Sequence, residues 1–210
     1  MSRYEMRSPA VTLQLAATTA TSPASVGLVV LAQCGPSRLR SDIALLLEQR
    51  GLATVQLDLS SSGDDHGTTD AIADRLIEGI DEIRAADLHR GLPLGVFGAR
   101  TGGSAALIAA ARRNDLVSSI VCWSARSDLV GAHLARIRTP TMLIVGSRDT
   151  TTLRVTRDAT RQMIAPHRVA VISGATGGLD EPGALDEVAA TAGTWLLGHL
   201  RALMLATRAR

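Results

Sequence analysis

Short apolar runs alternate with longer amphipathic stretches along most of the chain. The runs are rich in valine, isoleucine and leucine, which is typical of buried strands. Between them, apolar residues recur at helical spacing, and glycine or proline follows several of these stretches. Strands are predicted over residues 26–33, 52–57, 93–98, 118–123, 141–146 and 169–173, and helices over residues 40–50 and 70–86.

This alternation predicts an α/β fold, with a mostly parallel sheet and helices on both faces. Residues 11–16 are expected to add an antiparallel edge strand. The chain shows no internal repeat and no linker, so residues 1–210 are interpreted as a single domain. The connection between residues 123 and 141 is too short for a cap domain. A site above the sheet should therefore be shallow and open.

Composition narrows the chemistry. Hydrophobic residues make up 46% of the chain and aromatic residues 2%, so the core must be aliphatic. All 22 basic residues are arginine, which excludes a P-loop lysine and a Schiff base. The arginines are dispersed and the net charge is +2, which argues against nucleic acid as a partner.

Two cysteines, Cys34 and Cys122, indicate a reducing, cytoplasmic compartment. No apolar run approaches the ~18 residues of a membrane span.

The segment 94–107, LGVFGARTGGSAAL, holds the most informative turn. An apolar run meets a tight turn between Gly98 and Gly102, and an alanine-rich helix follows. A strand, a sharp turn and a helix in this order match the G-x-S-x-G nucleophile elbow, whose central residue stands exposed above the sheet. Here the central residue is Arg100. A guanidinium stays protonated and cannot act as an acyl-transfer nucleophile.

Further segments occur in a familiar order: VVLAQCGPSR, ATVQLDLSSSGDD, TPTMLIVGSRD and SGATGGLDEPGAL. With the elbow, they resemble the small, lidless α/β-hydrolases of the dienelactone-hydrolase-like group over nearly the whole chain. The resemblance implies a triad of serine, aspartate and histidine. Asp149 matches the aspartate, but Arg100 stands at the serine position and Gly177 at the histidine position. The triad is therefore interpreted as degenerate and the protein as a pseudoenzyme, because losing triad members costs several orders of magnitude in rate.

Neighbouring residues could replace the missing groups. Thr101 follows Arg100, although an elbow exposes one side chain and the next residue normally supplies a backbone N–H. Gln33 and Cys34 replace a histidine-glycine pair that is common in the family. Cys34 could be a reactive thiol if Arg100 lowered its pKa, but a small buried residue is the favoured interpretation.

The loop after the second predicted strand contains Asp64, Asp65 and His66. These residues could form a base or a metal site, but a solvated loop, with Thr68 or Thr69 capping the next helix, is favoured. No metal site and no cofactor are predicted.

Arg100 and Asp149 should converge above the sheet, and two interpretations of the pair stay open. An ion pair could plug the former site. Alternatively, Arg100 and the helix N-terminus behind it could recognise a carboxylate or phosphate.

The leading hypothesis is a non-hydrolytic binding protein that takes a small anionic ligand or a protein partner. Its candidate ligand-binding residues are Gln33, Cys34, Arg100, Thr101 and Asp149. The alternatives are a non-hydrolytic enzyme, such as an isomerase, cyclase or lyase, and a weak hydrolase that uses Cys34 or Thr101. The apolar segment 195–204, WLLGHLRALM, suggests a homo-oligomer through the C-terminal helix. No membrane partner is expected.

Overall fold

The computed structural model describes residues 3–7, 12–16, 25–34, 38–60, 67–87 and 91–208. The strands are β1 (Arg3–Arg7), β2 (Thr12–Ala16), β3 (Leu28–Gln33), β4 (Ala53–Asp58), β5 (Leu94–Ala99), β6 (Ser119–Trp123), β7 (Thr141–Gly146) and β8 (His167–Ile172). The α-helices are α1 (Arg38–Glu48), α2 (Thr69–Ala85), α3 (Thr101–Arg112), α4 (Thr150–Thr160) and α5 (Ala184–Arg208).

The strands form an eight-stranded sheet in the order β1-β2-β4-β3-β5-β6-β7-β8. In this order each strand from β4 onwards pairs in parallel with the next one. The pairs β1–β2 and β2–β4 are antiparallel. The predicted mostly parallel sheet is confirmed. The predicted edge strand is β2, but β1 lies outside it, so β2 is not at the edge. The sequence RYEMR has no apolar run, and only backbone pairing marks it as a strand.

Two apolar layers cover the sheet. Along β5, Leu94 and Val96 join the layer that contains α2, α3 and the end of α4, whereas Phe97 and Ala99 join the layer that contains α1 and α5. This alternation follows from the two-residue period of a strand. Trp123, at the end of β6, is fully buried in the second layer. Helices therefore lie on both faces, as predicted.

The connection between β6 and β7 is short. It contains two 3-10 helices, Ser127–Leu129 and Gly131–Arg136, where the sequence predicted at most one short helix. No lid is inserted in this connection, which the structure describes from end to end. None of the helices within the described ranges carries an apolar stretch long enough to cross a membrane.

The start of α3 lies against β3 without room for a side chain. A Cβ atom on Gly102 would lie 2.2 Å from the carbonyl oxygen of Ala32, and one on Gly98 would lie 2.6 Å from the carbonyl oxygen of Gly102. Both obstacles are backbone atoms, which cannot rotate away. Glycine is therefore required at these two positions if β5, the turn and α3 are to stay beside β3.

We predict that Gly102→Ala lowers the free energy of unfolding by at least about 3 kcal/mol or prevents folding, because the new methyl group overlaps the Ala32 carbonyl. Urea denaturation followed by circular dichroism measures the change. Gly198→Ala is the matched control, since Gly198 lies in α5 and a Cβ atom there would meet no neighbour within 4 Å. That variant should be more stable by about 0.5–1 kcal/mol. Equal stabilities for the two variants would contradict the prediction.

Candidate functional site

Arg100 occupies a sharp turn between β5 and α3. Its backbone angles are φ 52° and ψ −118°, a conformation that costs a non-glycine residue roughly 1–3 kcal/mol. The N–H of Arg100 donates to the carbonyl of Trp123 at 2.8 Å, and its own carbonyl accepts from the N–H groups of Gly103 and Ser104. These bonds hold the strained turn. The Arg100 side chain is exposed at the carboxyl edge of the sheet, where parallel sheets place their sites.

The Arg100 guanidinium contacts the turn that follows β8. Its Nη2 donates to the carbonyl oxygen of Gly177 at 3.1 Å, and the indole Nε1 of Trp123 donates to the same oxygen at 3.2 Å. No other hydrogen bond joins the Arg100 side chain to a described residue. One carbonyl thus accepts from two donors, and the Arg100 side chain stays exposed within the described structure.

Asp149 is the N-cap residue of α4. Its Oδ1 accepts from the N–H of Thr152 at 3.1 Å, and its Oδ2 accepts from the hydroxyl of Ser124 at 2.8 Å. Burial raises the pKa of the Asp149 carboxyl. The hydrogen bonds from Ser124 and Thr152 and the positive charge of Arg100 together lower it by more, so the net pKa lies below the ordinary value. Asp149 is therefore an ionised structural cap.

No ion pair joins Arg100 to Asp149 among the residues whose positions are described. The direct pair considered from the sequence is therefore not formed. Arg100 acts on the carboxylate only through its charge, because its guanidinium is turned to the Gly177 carbonyl.

Gly177 faces Asp149, as the family resemblance implied. A Cβ atom at this position would lie 2.9 Å from Asp149 Oδ2 and 2.9 Å from Ser124 Oγ. The Ser124 hydroxyl thus crowds the first atom of any side chain at this position, and it supplies the hydrogen bond to the carboxylate. Ser124 and Trp123 were missed in the sequence. Their position at the carboxyl end of β6, beside the elbow strand, is the signal that could have found them.

The other sequence-predicted site residues lie around the elbow. Gln33 ends β3, which is paired with β5, and Cys34 follows it. The pKa of the Cys34 thiol is raised, mainly because the thiol is partly buried. The positive charge of Arg75 lowers this pKa and the negative charge of Asp58 raises it, and both effects are smaller than that of burial. Arg100 is not among the charges that act on this thiol, so the less favoured alternative of a thiol activated by Arg100 is not supported. Thr101 is the first residue of α3 and exposed, and its hydroxyl makes no hydrogen bond to any described residue.

No histidine of the described segments stands beside Asp149 as a base. His167 opens β8 at the amino edge of the sheet, a strand length of about 17–20 Å from the site. His133 faces Asp70, and His199 is hydrogen-bonded within α5. His66, with Asp64 and Asp65, lies outside the described residues, as does His89. The prediction that Thr68 or Thr69 caps the next helix is confirmed, because Thr68 is the N-cap residue of α2 and its side chain accepts from the N–H of Ala71.

Known structures place this arrangement in a family. A dienelactone hydrolase from Anabaena variabilis, known from its crystal structure, is similar to this chain with a TM-score of 0.85. The two sequences are 30% identical, and the match covers 95% of this chain and 99% of the other. The chain belongs to the dienelactone-hydrolase-like group of the α/β-hydrolases. In this hydrolase fold, Arg100 stands on the elbow.

More distant structures share the fold alone. Est1E from Butyrivibrio proteoclasticus has a TM-score of 0.76 at 13% identity, covering 95% of this chain and 99% of its own. An alpha-beta serine hydrolase homologue from Coxiella burnetii has a TM-score of 0.75 at 14% identity, covering 92% and 96%.

Two proteins from Mycobacterium tuberculosis strains CDC 1551 and H37Rv are also similar in sequence. Each is 35% identical over 183 residues and is provisionally named a phosphoribosyl transferase. The match covers 83% of this chain and 41% of each relative, so the chain spans less than half of their length. No family model matches the chain.

We predict that Asp149→Asn is less stable than the parent protein by about 1 kcal/mol at pH 7, because a charge-assisted cap is lost. The native pKa of Asp149 is depressed, so its stabilising effect is complete above the ordinary value of 3.8 and disappears as the pH falls through the native value. Urea denaturation of both proteins at several pH values measures the difference.

Asp158→Asn is the control for this series, because Asp158 pairs with Arg161 on the surface. It should change stability by less than about 0.5 kcal/mol at any pH. A stability difference for Asp149→Asn that persists unchanged in acid would contradict the prediction.

The geometry at Gly177 predicts what is needed to restore hydrolysis. The parent protein should not hydrolyse p-nitrophenyl acetate above background. The double variant Arg100→Ser, Gly177→His should also be inactive, because the Ser124 hydroxyl blocks the imidazole and holds Asp149. Adding Ser124→Gly removes the hydroxyl and relieves the positive φ of 45° at that position. The triple variant should show weak turnover.

Initial rates for the three proteins at equal concentration test this order. Turnover by the parent protein that Cys34→Ala abolishes would instead identify a thiol nucleophile. Activity in the double variant equal to that in the triple variant would mean that Ser124 does not block the histidine position.

Proposed function

We propose that this protein is a non-hydrolytic member of its group, a pseudoenzyme that binds a small anionic ligand above the elbow. The observation that carries the proposal is the exposed Arg100 guanidinium, which spends one donor on the Gly177 carbonyl. A guanidinium has five N–H donors in a fixed fork, so several are not used by the described residues and could bind a carboxylate or phosphate. The N-terminus of α3 lies behind Arg100 and favours the same charge.

Binding is favoured over plugging because the local anion is already satisfied. Asp149 accepts hydrogen bonds from Ser124 and Thr152 and forms no ion pair with Arg100 within the described structure. A fixed carboxylate in direct contact would compete with a ligand anion, and this contact is missing. Arg126 is less suited to the role, because it is held by both carboxylate oxygens of Asp128.

The mycobacterial relatives suggest the class of ligand. Their provisional name refers to transfer of a phosphoribosyl group, and the part that matches this chain is 41% of their length. We therefore propose a sugar phosphate as the ligand, with Arg100 on the phosphate. A cytoplasmic setting belongs to the same proposal, because Cys34 and Cys122 are both free.

A non-hydrolytic enzyme is less well supported. Proton transfer at neutral pH is most efficient with a group whose pKa lies near 7. The pKa of Asp149 is instead depressed and that of the Cys34 thiol is raised. Neither is suited to accept and return a proton under those conditions.

Isothermal titration calorimetry with ribose 5-phosphate, inorganic phosphate and uncharged ribose tests the proposal. The parent protein should bind ribose 5-phosphate with a Kd of about 1 mM or tighter, and ribose should not bind measurably. Arg100→Ala should weaken ribose 5-phosphate binding at least about tenfold, since a charge-assisted bidentate contact is lost. Circular dichroism confirms that the variant is folded.

Arg161→Ala is the matched control, because Arg161 is an exposed arginine at the far end of α4. Its affinity should equal that of the parent protein. The proposal is wrong if ribose 5-phosphate and phosphate both fail to bind, or if Arg100→Ala binds as tightly as Arg161→Ala.

A further inference from the structure

The strand β8 ends the sheet on the side opposite β1. It pairs with β7 in an unbroken parallel register from Thr141 opposite His167 to Gly146 opposite Ile172. On its other side no strand of the described structure pairs with it. Val171 in this strand is 43% exposed, and Ile164, just before the strand, is 69% exposed. Apolar surface and an open strand edge therefore coincide.

Alternate residues of β8 turn their backbone groups outward. The carbonyls of Pro166 and Ile172 accept from the N–H groups of Thr141 and Ser147, so even-numbered residues face β7. Backbone N–H and C=O groups of one residue in a parallel strand point to the same side. Those of Val169 and Val171 therefore point away from the sheet and present an unused row of donors and acceptors.

The usual protection of an edge is weak here. Natural edge strands carry charged side chains, a proline, a bulge or a covering element. The regular register excludes a bulge in β8, and no proline lies between His167 and Ile172. Arg168 is the one arginine in the strand. An edge of this kind is suited to pairing with another strand.

We infer that a second copy of this chain covers the edge, with its β8 antiparallel to the first. A two-fold axis at Ala170 places Ala170 opposite its own copy and Val169 opposite Val171, and it pairs the outward backbone groups of both valines. Arg168 then lies opposite Ile172, so no like charges face each other. An antiparallel pair of identical strands is self-complementary and closed, as a symmetric dimer requires. The two sheets become one continuous sheet.

Side chains fit this register. β-branched residues opposite each other are favourable cross-strand pairs, and Val169 with Val171 forms such a pair twice. The small Ala170 at the axis lets the strands approach. A second copy is a better occupant than an unrelated peptide, because one two-fold axis uses the outward groups of both copies and places each Val169 opposite a Val171.

Sedimentation equilibrium of the full chain tests the dimer. The parent protein should have twice the monomer mass of 22.0 kDa. Val171→Pro removes an outward N–H but no bond to β7, and a proline is tolerated on the open side of an edge strand. It should give a folded monomer. Val171→Arg is a second variant that leaves the backbone intact and should also be monomeric, since its charge would be buried against Val169 of the second copy.

Two variants serve as controls. Val171→Thr keeps the branched shape and the N–H and should stay dimeric. Leu205→Arg changes an exposed residue at the end of α5 and should stay dimeric too. A monomeric parent protein at every concentration overturns the inference. A monomeric Leu205→Arg with a dimeric Val171→Arg also overturns it and assigns the contact to the C-terminal helix.

Discussion

The close approach of Gly102 to the Ala32 carbonyl is the constraint on which the site depends. A Cβ atom on Gly102 would lie only 2.2 Å from that oxygen, so α3 can begin directly beside β3 only because glycine has none. The chain must then reverse within one residue, and Arg100 is forced into its positive φ. The exposed position of residue 100 follows from the glycines around it. This explains why the elbow persists although its central residue cannot act as a nucleophile.

At the positions of the triad, other hydrogen bonds are formed in place of those that a serine, a histidine and an aspartate would make. The Gly177 carbonyl accepts from Arg100 and Trp123, and the Asp149 carboxylate accepts from Ser124. Polar groups in partly buried places need such partners, and here each of these has one. The result is a rigid, satisfied network without a proton acceptor near neutrality. A network of this kind suits binding better than turnover, because nothing in it must change its charge.

The turn after β8 connects the two proposals. It begins where the open edge strand ends and it contains Gly177, whose carbonyl Arg100 clamps. Antiparallel pairing of β8 with a second copy would restrain the start of this turn, and the clamp restrains its middle. Ligand binding at Arg100 and dimerisation would then act on the same few residues. Linkage between the two sites follows if the ligand favours one position of the turn.

Local pattern was enough for the main elements of the fold and for two members of the site. Residues 141–146 were predicted as a strand and form β7 residue for residue. The elbow around Arg100 and the position of Asp149 were also found, because glycine spacing and strand order are written along the chain. The edge strand β1 was missed, since its pairing depends on β2 and not on its own apolar content. The Ser124 hydrogen bond and the turning of Arg100 to Gly177 were decided only by the folded structure. They depend on distances of about 3 Å between residues on different strands, and such distances leave no periodic trace in a sequence.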